Sequence, residues 1–289
     1  MLELSAALIA YYTVLAALLG LVMGSFLNCF AYRYGVSSKL DTAESGLSDV
    51  SYAHDKSKKN ESVLRGRSKC ALCGHTLSSR ELVPVFSWLF QKGRCRHCSG
   101  KISPLYIVAE LVCGALFVSV PLRFGFSFEA IKHLVFVSLL FTAAFCDLHS
   151  GLIPDRLLLI GAVMAFGFAF FSPDGIVRAL INTAIGGFSV SLPLFIFVLI
   201  FDKIKKRETM GGGDIKLMFM IGLFFDWKLN ILIIILACLL GLLFTLFSKK
   251  EGSGGERTFP FAPALTAAAW LTMLFGERVI DLYLGLFLL

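Results

Sequence analysis

Four cysteines and two aspartates are the residues of this 289-residue chain whose types and spacing could do chemistry. Cys70-Ala-Leu-Cys73 and Cys95-Arg-His-Cys98 are two CxxC knuckles separated by 21 residues, one beyond the usual zinc-ribbon interval of about 15–20. Two thiolates from each knuckle complete a closed tetrahedral shell for a structural Zn²⁺. Lys69, Arg94 and Arg96 would offset the double negative charge of such a centre. His75 and His97 could also ligate, but four cysteines already fill the shell. The competing arrangement is two disulfides, which a reducing cytoplasm disfavours. Cys29, Cys113, Cys146 and Cys238 lie in apolar stretches and read as packing residues.

Asp147 and Asp214 each stand at the edge of an apolar segment beside a glycine-containing break, Gly151 with Pro154 in one case and Gly211-Gly212-Gly213 in the other. Ionisable groups inside a membrane are costly and point to function. Asp147 comes at the C-terminal end of its predicted helix, where the dipole disfavours an anion. Asp214 also suits an N-cap. Two carboxyls brought together share one proton, so one can activate water while the other polarises a peptide carbonyl. No covalent nucleophile or metal is needed. Asp155, after Pro154, reads as a cap, and Asp202 as the solvated start of a charged loop. Glu110 either reaches the interface or serves a polar cavity. No GxSxG, HExxH, P-loop or Rossmann fingerprint is present.

The elements that must position these groups are membrane spans. The chain is 57% hydrophobic and 16% charged, with a mean hydropathy of +0.78, which excludes a freely soluble globular protein. Its net charge is +7, and residues 31–103 hold 13 Lys/Arg against 6 Asp/Glu. One basic aqueous segment in an apolar chain argues for a lipid bilayer and against nucleic acid as partner. Apolar stretches occur at 4–32, 104–122, 131–146, 157–171, 176–201, 215–225, 230–248 and 260–275, while the tail 279–289 is too short to cross. The first stretch is too long for a signal peptide's core and has no basic residues before it.

The expected fold is therefore an all-α polytopic membrane protein of about eight transmembrane helices with a small zinc-ribbon-like cytoplasmic domain. The domains read as a first span at 1–32, a cytoplasmic domain at 33–103 with a flexible loop at 37–62, and a transmembrane core at 104–289. With 33–103 inside, 22 Lys/Arg fall on the cytoplasmic side and five on the other, which puts both termini outside. Measured from His133 to Asp147 and from Asp214 to Phe225, two helices rise only about 21 Å and 17 Å. Both aspartates would then be recessed below the cytoplasmic surface, where irregular backbone must line a cavity or be buried in protein.

At this point the motifs resemble those of the type IV prepilin peptidases, polytopic aspartic proteases of the GxGD type. The matching stretches are Gly24-Ser-Phe-Leu-Asn28 with Tyr32-Arg33, the double knuckle with Ser87-Trp-Leu between, and Ile102-Ser103. They continue with Asp147-Leu-His-Ser-Gly-Leu-Ile-Pro-Asp155, Gly211-Gly-Gly-Asp214-Ile-Lys-Leu and Phe259-Pro-Phe-Ala-Pro-Ala264. The resemblance implies prepilin and pseudopilin substrates, whose short basic leader is cut after a Gly on the cytoplasmic side of the inner membrane. It implies Asp147 and Asp214 as the catalytic pair, with His149 where some members carry a further acid. It also implies N-methylation of the new terminus with S-adenosylmethionine, for which Gly93 matches a linked position and Glu110 is a second candidate. Gly93 fits equally well as a turn residue. Loop 37–62 resembles an insertion and has no assigned role, and the sequence leaves the oligomeric state open. Two other classes compete: a zinc-stabilised membrane scaffold or assembly factor, and a proton-coupled transporter, which the lack of a clear internal repeat weakens.

Overall fold

A computed structural model describes residues 6–44, 67–70, 72–173, 175–206, 210–247 and 260–287. The described residues are helical apart from turns and two isolated β-bridges. In order they form α1 (Ala6–Glu44), a 3-10 turn (Ser79–Leu82), α2 (Phe86–Phe90), α3 (Leu105–Phe124), α4 (Phe128–Ser150) and α5 (Asp155–Ala169). There follow α6 (Ile176–Lys205), α7 (Gly212–Gly222), α8 (Trp227–Phe247) and α9 (Ala262–Phe287). Eight of these helices coincide with the eight predicted spans. Five stretches, Ala10–Ser37, Leu105–Phe124, Phe128–Ser150, Ile176–Lys205 and Trp227–Leu246, are long and apolar enough to cross a membrane by length and composition.

Several expected boundaries move. Helix α1 continues past Tyr32 to Glu44, so residues 37–44 of the expected loop are helical; residues 45–62 of that loop lie outside the described residues. Helix α4 has 23 residues, about 34 Å of rise, and is not short. It starts at Phe128 because the polar residues of its first turns find local partners. Lys132 pairs with Glu129 at 3.4 Å, and the His133 Nδ1–H donates to the Glu129 carbonyl at 2.7 Å while its ring stacks on Phe124. Helix α9 absorbs residues 279–287 of the expected tail. Helix α7 is as short as expected, 11 residues or about 16 Å.

The chain divides into two compact units, residues 1–138 and 139–289. In the first, α1 packs along α3, and the knuckle segment carries the 3-10 turn and α2. In the second, α7 is enclosed by α5, α6, α8 and α9, and Leu217, Met218, Met220 and Ile221 are all but inaccessible. Its seat against α6 needs two glycines: a Cβ on Gly222 would lie 2.6 Å from the Gly186 carbonyl oxygen, and no side chain fits there. Asn230, wholly buried on α8, closes the same junction. Its amide group donates to the carbonyls of Gly186 (3.0 Å), Gly222 (3.3 Å) and Phe225 (3.3 Å), tying the end of α7 to α6.

Candidate functional site

Asp147 sits in the last turn of α4 and is buried, 8% exposed. The helix ends one turn later because Gly151 adopts φ +69° and donates its N–H to the Asp147 carbonyl at 2.7 Å, a glycine stop in the left-handed region. Asp214 occupies the third residue of α7. It is not the N-cap: Gly211 holds that place, and the Asp214 N–H donates to the Gly211 carbonyl at 3.1 Å. The two side chains, far apart in sequence, come within direct electrostatic reach of each other.

A third group joins them that sequence reasoning did not assign. The backbone N–H of Ala262, first residue of α9, donates to Asp147 Oδ2 at 3.2 Å. The N-terminus of α9 thus supplies the positive dipole end that the C-terminus of α4 denies to this carboxylate. A signal existed in Phe259-Pro-Phe-Ala-Pro, since proline in the first helical turn marks a helix start. Asp155 is not the cap of α5 either. Pro154 is, and Asp155 pairs instead with Lys216 at 2.7 Å, linking the starts of α5 and α7. Asp202 lies inside the last turn of α6 and does not begin a loop.

The four knuckle cysteines converge in the first unit, with all four Sγ atoms within 4.8 Å of one another. The two knuckles repeat one local fold. The Cys70 N–H donates to the His75 carbonyl and the Cys95 N–H to the Gly100 carbonyl, both at 2.9 Å, beside the bridges Lys69–Thr76 and Arg94–Lys101. Four thiols at this range resist joint ionisation. The Cys73 amide draws Cys70 down to about 7, whereas burial and the neighbouring thiols outweigh the Gly100 amide and push Cys98 up to about 11. A divalent cation lets all four ionise together. His75 and His97 lie against each other, ring centroids 3.5 Å apart and planes tilted by 32°, outside the cysteine group. Beside them the Ser78 backbone N–H and hydroxyl, both at 2.8 Å, hold the Glu81 carboxyl below the usual carboxylate range.

Gly93 has φ +68°, and a Cβ there would come 2.8 Å from the Trp88 indole. Its N–H donates to the Trp88 carbonyl at 3.0 Å, and its carbonyl accepts from Ile102 at 2.8 Å. Glu110, buried on α3, accepts the N–H of Val85 at 2.7 Å. Val85 carries φ +62°, a strained value for a β-branched residue, so Glu110 holds the chain in its tight turn into α2.

Two family models match the chain. Residues 18–124 match the bacterial peptidase A24 N-terminal domain, and residues 134–246 match the type IV leader peptidase family. A prepilin leader peptidase/N-methyltransferase of Bacillus subtilis is 36% identical over 225 residues, covering 77% of this chain and 87% of the relative. One from Dichelobacter nodosus is 34% identical over 283 residues, 92% of each chain. One from Stutzerimonas stutzeri is 29% identical over 279 residues, 94% of each. No solved structure matches. With its membrane-length helices this is a multi-pass membrane protein, and from end to end of both matched segments the chain belongs to the prepilin leader peptidase/N-methyltransferase family.

Proposed function

We propose that the protein is a membrane aspartic endopeptidase that removes the basic leader from type IV prepilins and pseudopilins and then N-methylates the new terminus. The observation that carries the peptidase reading is the convergence of Asp147 and Asp214 across α4 and α7, with the Ala262 amide on one of them. One carboxylate takes a proton from the attacking water, and the other, protonated, donates a hydrogen bond to the scissile carbonyl. The water oxygen bonds to the carbonyl carbon. As the C–N bond breaks, the leaving nitrogen receives a proton, and a free carboxyl and a free amine result. The Ala262 N–H fixes one oxygen of Asp147 and so directs the other.

The domains follow as 1–32, 33–103 and 104–289, with Cys70, Cys73, Cys95 and Cys98 holding a structural zinc ion. The chain resides in the bacterial inner membrane with both termini outside, since that arrangement keeps 22 of 27 Lys/Arg inside. S-adenosylmethionine, when bound, supplies an electrophilic methyl group to the neutral α-amine. Gly93 and Glu110 belong to this second activity through the shape they impose: Gly93 seats Trp88, and Glu110 fixes Val85.

The test is incubation of detergent-solubilised protein with a prepilin, with and without S-adenosylmethionine, read by intact mass. Asp147→Asn and Asp214→Asn should each abolish cleavage while the protein still accumulates, because an amide cannot relay the proton. Asp155→Asn and Asp202→Asn should retain most activity. Full cleavage by either dyad variant rejects the mechanism.

A further inference from the structure

The short helix α2 presents an apolar face away from the protein. Phe86, Leu89 and Phe90 stand three and four residues apart, on one side of the helix, and each is more than half exposed. Hydrogen bonds at both ends of α2 fix its level against α3. At the start, the Val85 N–H donates to Glu110 at 2.7 Å. Past the end, the Gly93 carbonyl accepts from the Ile102 N–H at 2.8 Å, and the Trp88 indole N–H donates to the Ile102 carbonyl at 3.4 Å. Helix α3 has 20 residues, a rise of about 30 Å, which equals the hydrocarbon thickness of a bilayer. Leu105 therefore lies at the boundary between acyl chains and headgroups, with Ile102 on the headgroup side and Glu110 inside. Side chains of a helix lean towards its N-terminus, so the Glu110 carboxylate meets Val85 close to that boundary. Helix α1 gives the same level independently. Ser79 and residues 82–84 face Phe26, Cys29 and Arg33 across a cleft, and these three belong to the membrane-length stretch Ala10–Ser37.

We propose that α2 is an interfacial anchor, with Phe86, Leu89 and Phe90 seated in the leaflet that surrounds the start of α3. The inference rests on α1 and α3 spanning the bilayer. An apolar face at this level meets acyl chains, and seating it among them removes it from water. Charge agrees with a lipid partner. Residues 79–101 hold Arg80, Lys92, Arg94, Arg96 and Lys101 against Glu81 alone, and Glu81 is buried against Ser78. Basic residues beside an apolar face suit an anionic leaflet. A water-soluble partner would have to displace the headgroups around α3 to reach this face.

The full-length protein, free of substrate, is placed in nanodiscs of phosphatidylethanolamine and phosphatidylglycerol. A fraction of the lipid carries a diazirine in its acyl chain near the headgroup. Ultraviolet irradiation followed by peptide mass spectrometry should find lipid adducts within residues 82–91 as well as in α1 and α3. Adducts in α1 and α3 with none in residues 82–91 overturn the anchor, whereas adducts in none of the three reject the spans themselves. A second measurement uses Phe90→Trp, made together with Trp227→Phe and Trp270→Phe, and compares it with the parent that retains Trp88 alone. The added emission should be lost in acyl-brominated lipid and persist in aqueous iodide. Loss in iodide and persistence in brominated lipid would put the face in water and overturn the proposal.

Discussion

Gly93 acts on its surroundings through backbone shape, seating the Trp88 indole against it. Valine there would have to adopt φ +68°, at a cost of roughly 1–3 kcal/mol, and would drive its Cβ into the Trp88 indole. The expected result for Gly93→Val is cleavage largely intact and methylation of a precleaved pilin reduced, measured by intact mass. Wild-type methylation in this variant would leave Gly93 as a turn residue and nothing more. Asp147 marks how far residues alone can be read. Its acidity, its partner and the glycine break after it were legible in the sequence. The Ala262 amide was not, because that donor arrives from 115 residues away, and only the folded chain brings the start of α9 to the end of α4.

Among the elements, α7 depends most on its neighbours. Eleven residues are too few to be stable as an isolated helix, so its position comes from α6 and α8 through Gly186, Gly222 and Asn230. Gly222→Ala should lower stability by about 1–3 kcal/mol and reduce cleavage with it, seen as a fall in thermal midpoint alongside slower prepilin processing. A variant of unchanged midpoint would mean that α6 and α7 can part without loss. The shortness of α7 was legible because Gly211-Gly212-Gly213 and Asp226 bracket its apolar run. The length of α4 was not. Lys132 and His133 look like a helix boundary until Glu129 and Phe124 are seen to take them up. In α9, Glu277, Arg278 and Asp281 likewise read as an end but lie within the helix.

At the scale of the whole molecule, solvent decides what can be foreseen. A bilayer demands long apolar runs and internally satisfied backbone, so composition alone indicated helices and their approximate number. The knuckles were legible for a different reason, since metal geometry fixes ligand spacing. The same separation of parts predicts the effect of metal loss. Purified protein should hold about one zinc ion per chain, and Cys70→Ser with Cys73→Ser should release it, as read by elemental analysis. Cleavage should outlast methylation in that variant, because Asp147, Asp214 and Ala262 all belong to residues 139–289 while the four cysteines belong to residues 1–138. Stoichiometric zinc in the double variant would reject the four-cysteine centre. The indole packed over Gly93 also gives the protein a built-in optical probe. The chain has three tryptophans, and two of them, Trp227 and Trp270, can be replaced by phenylalanine. The fluorescence that remains then comes from the ribbon alone, so its colour and quenching follow metal uptake and release in real time, without a label.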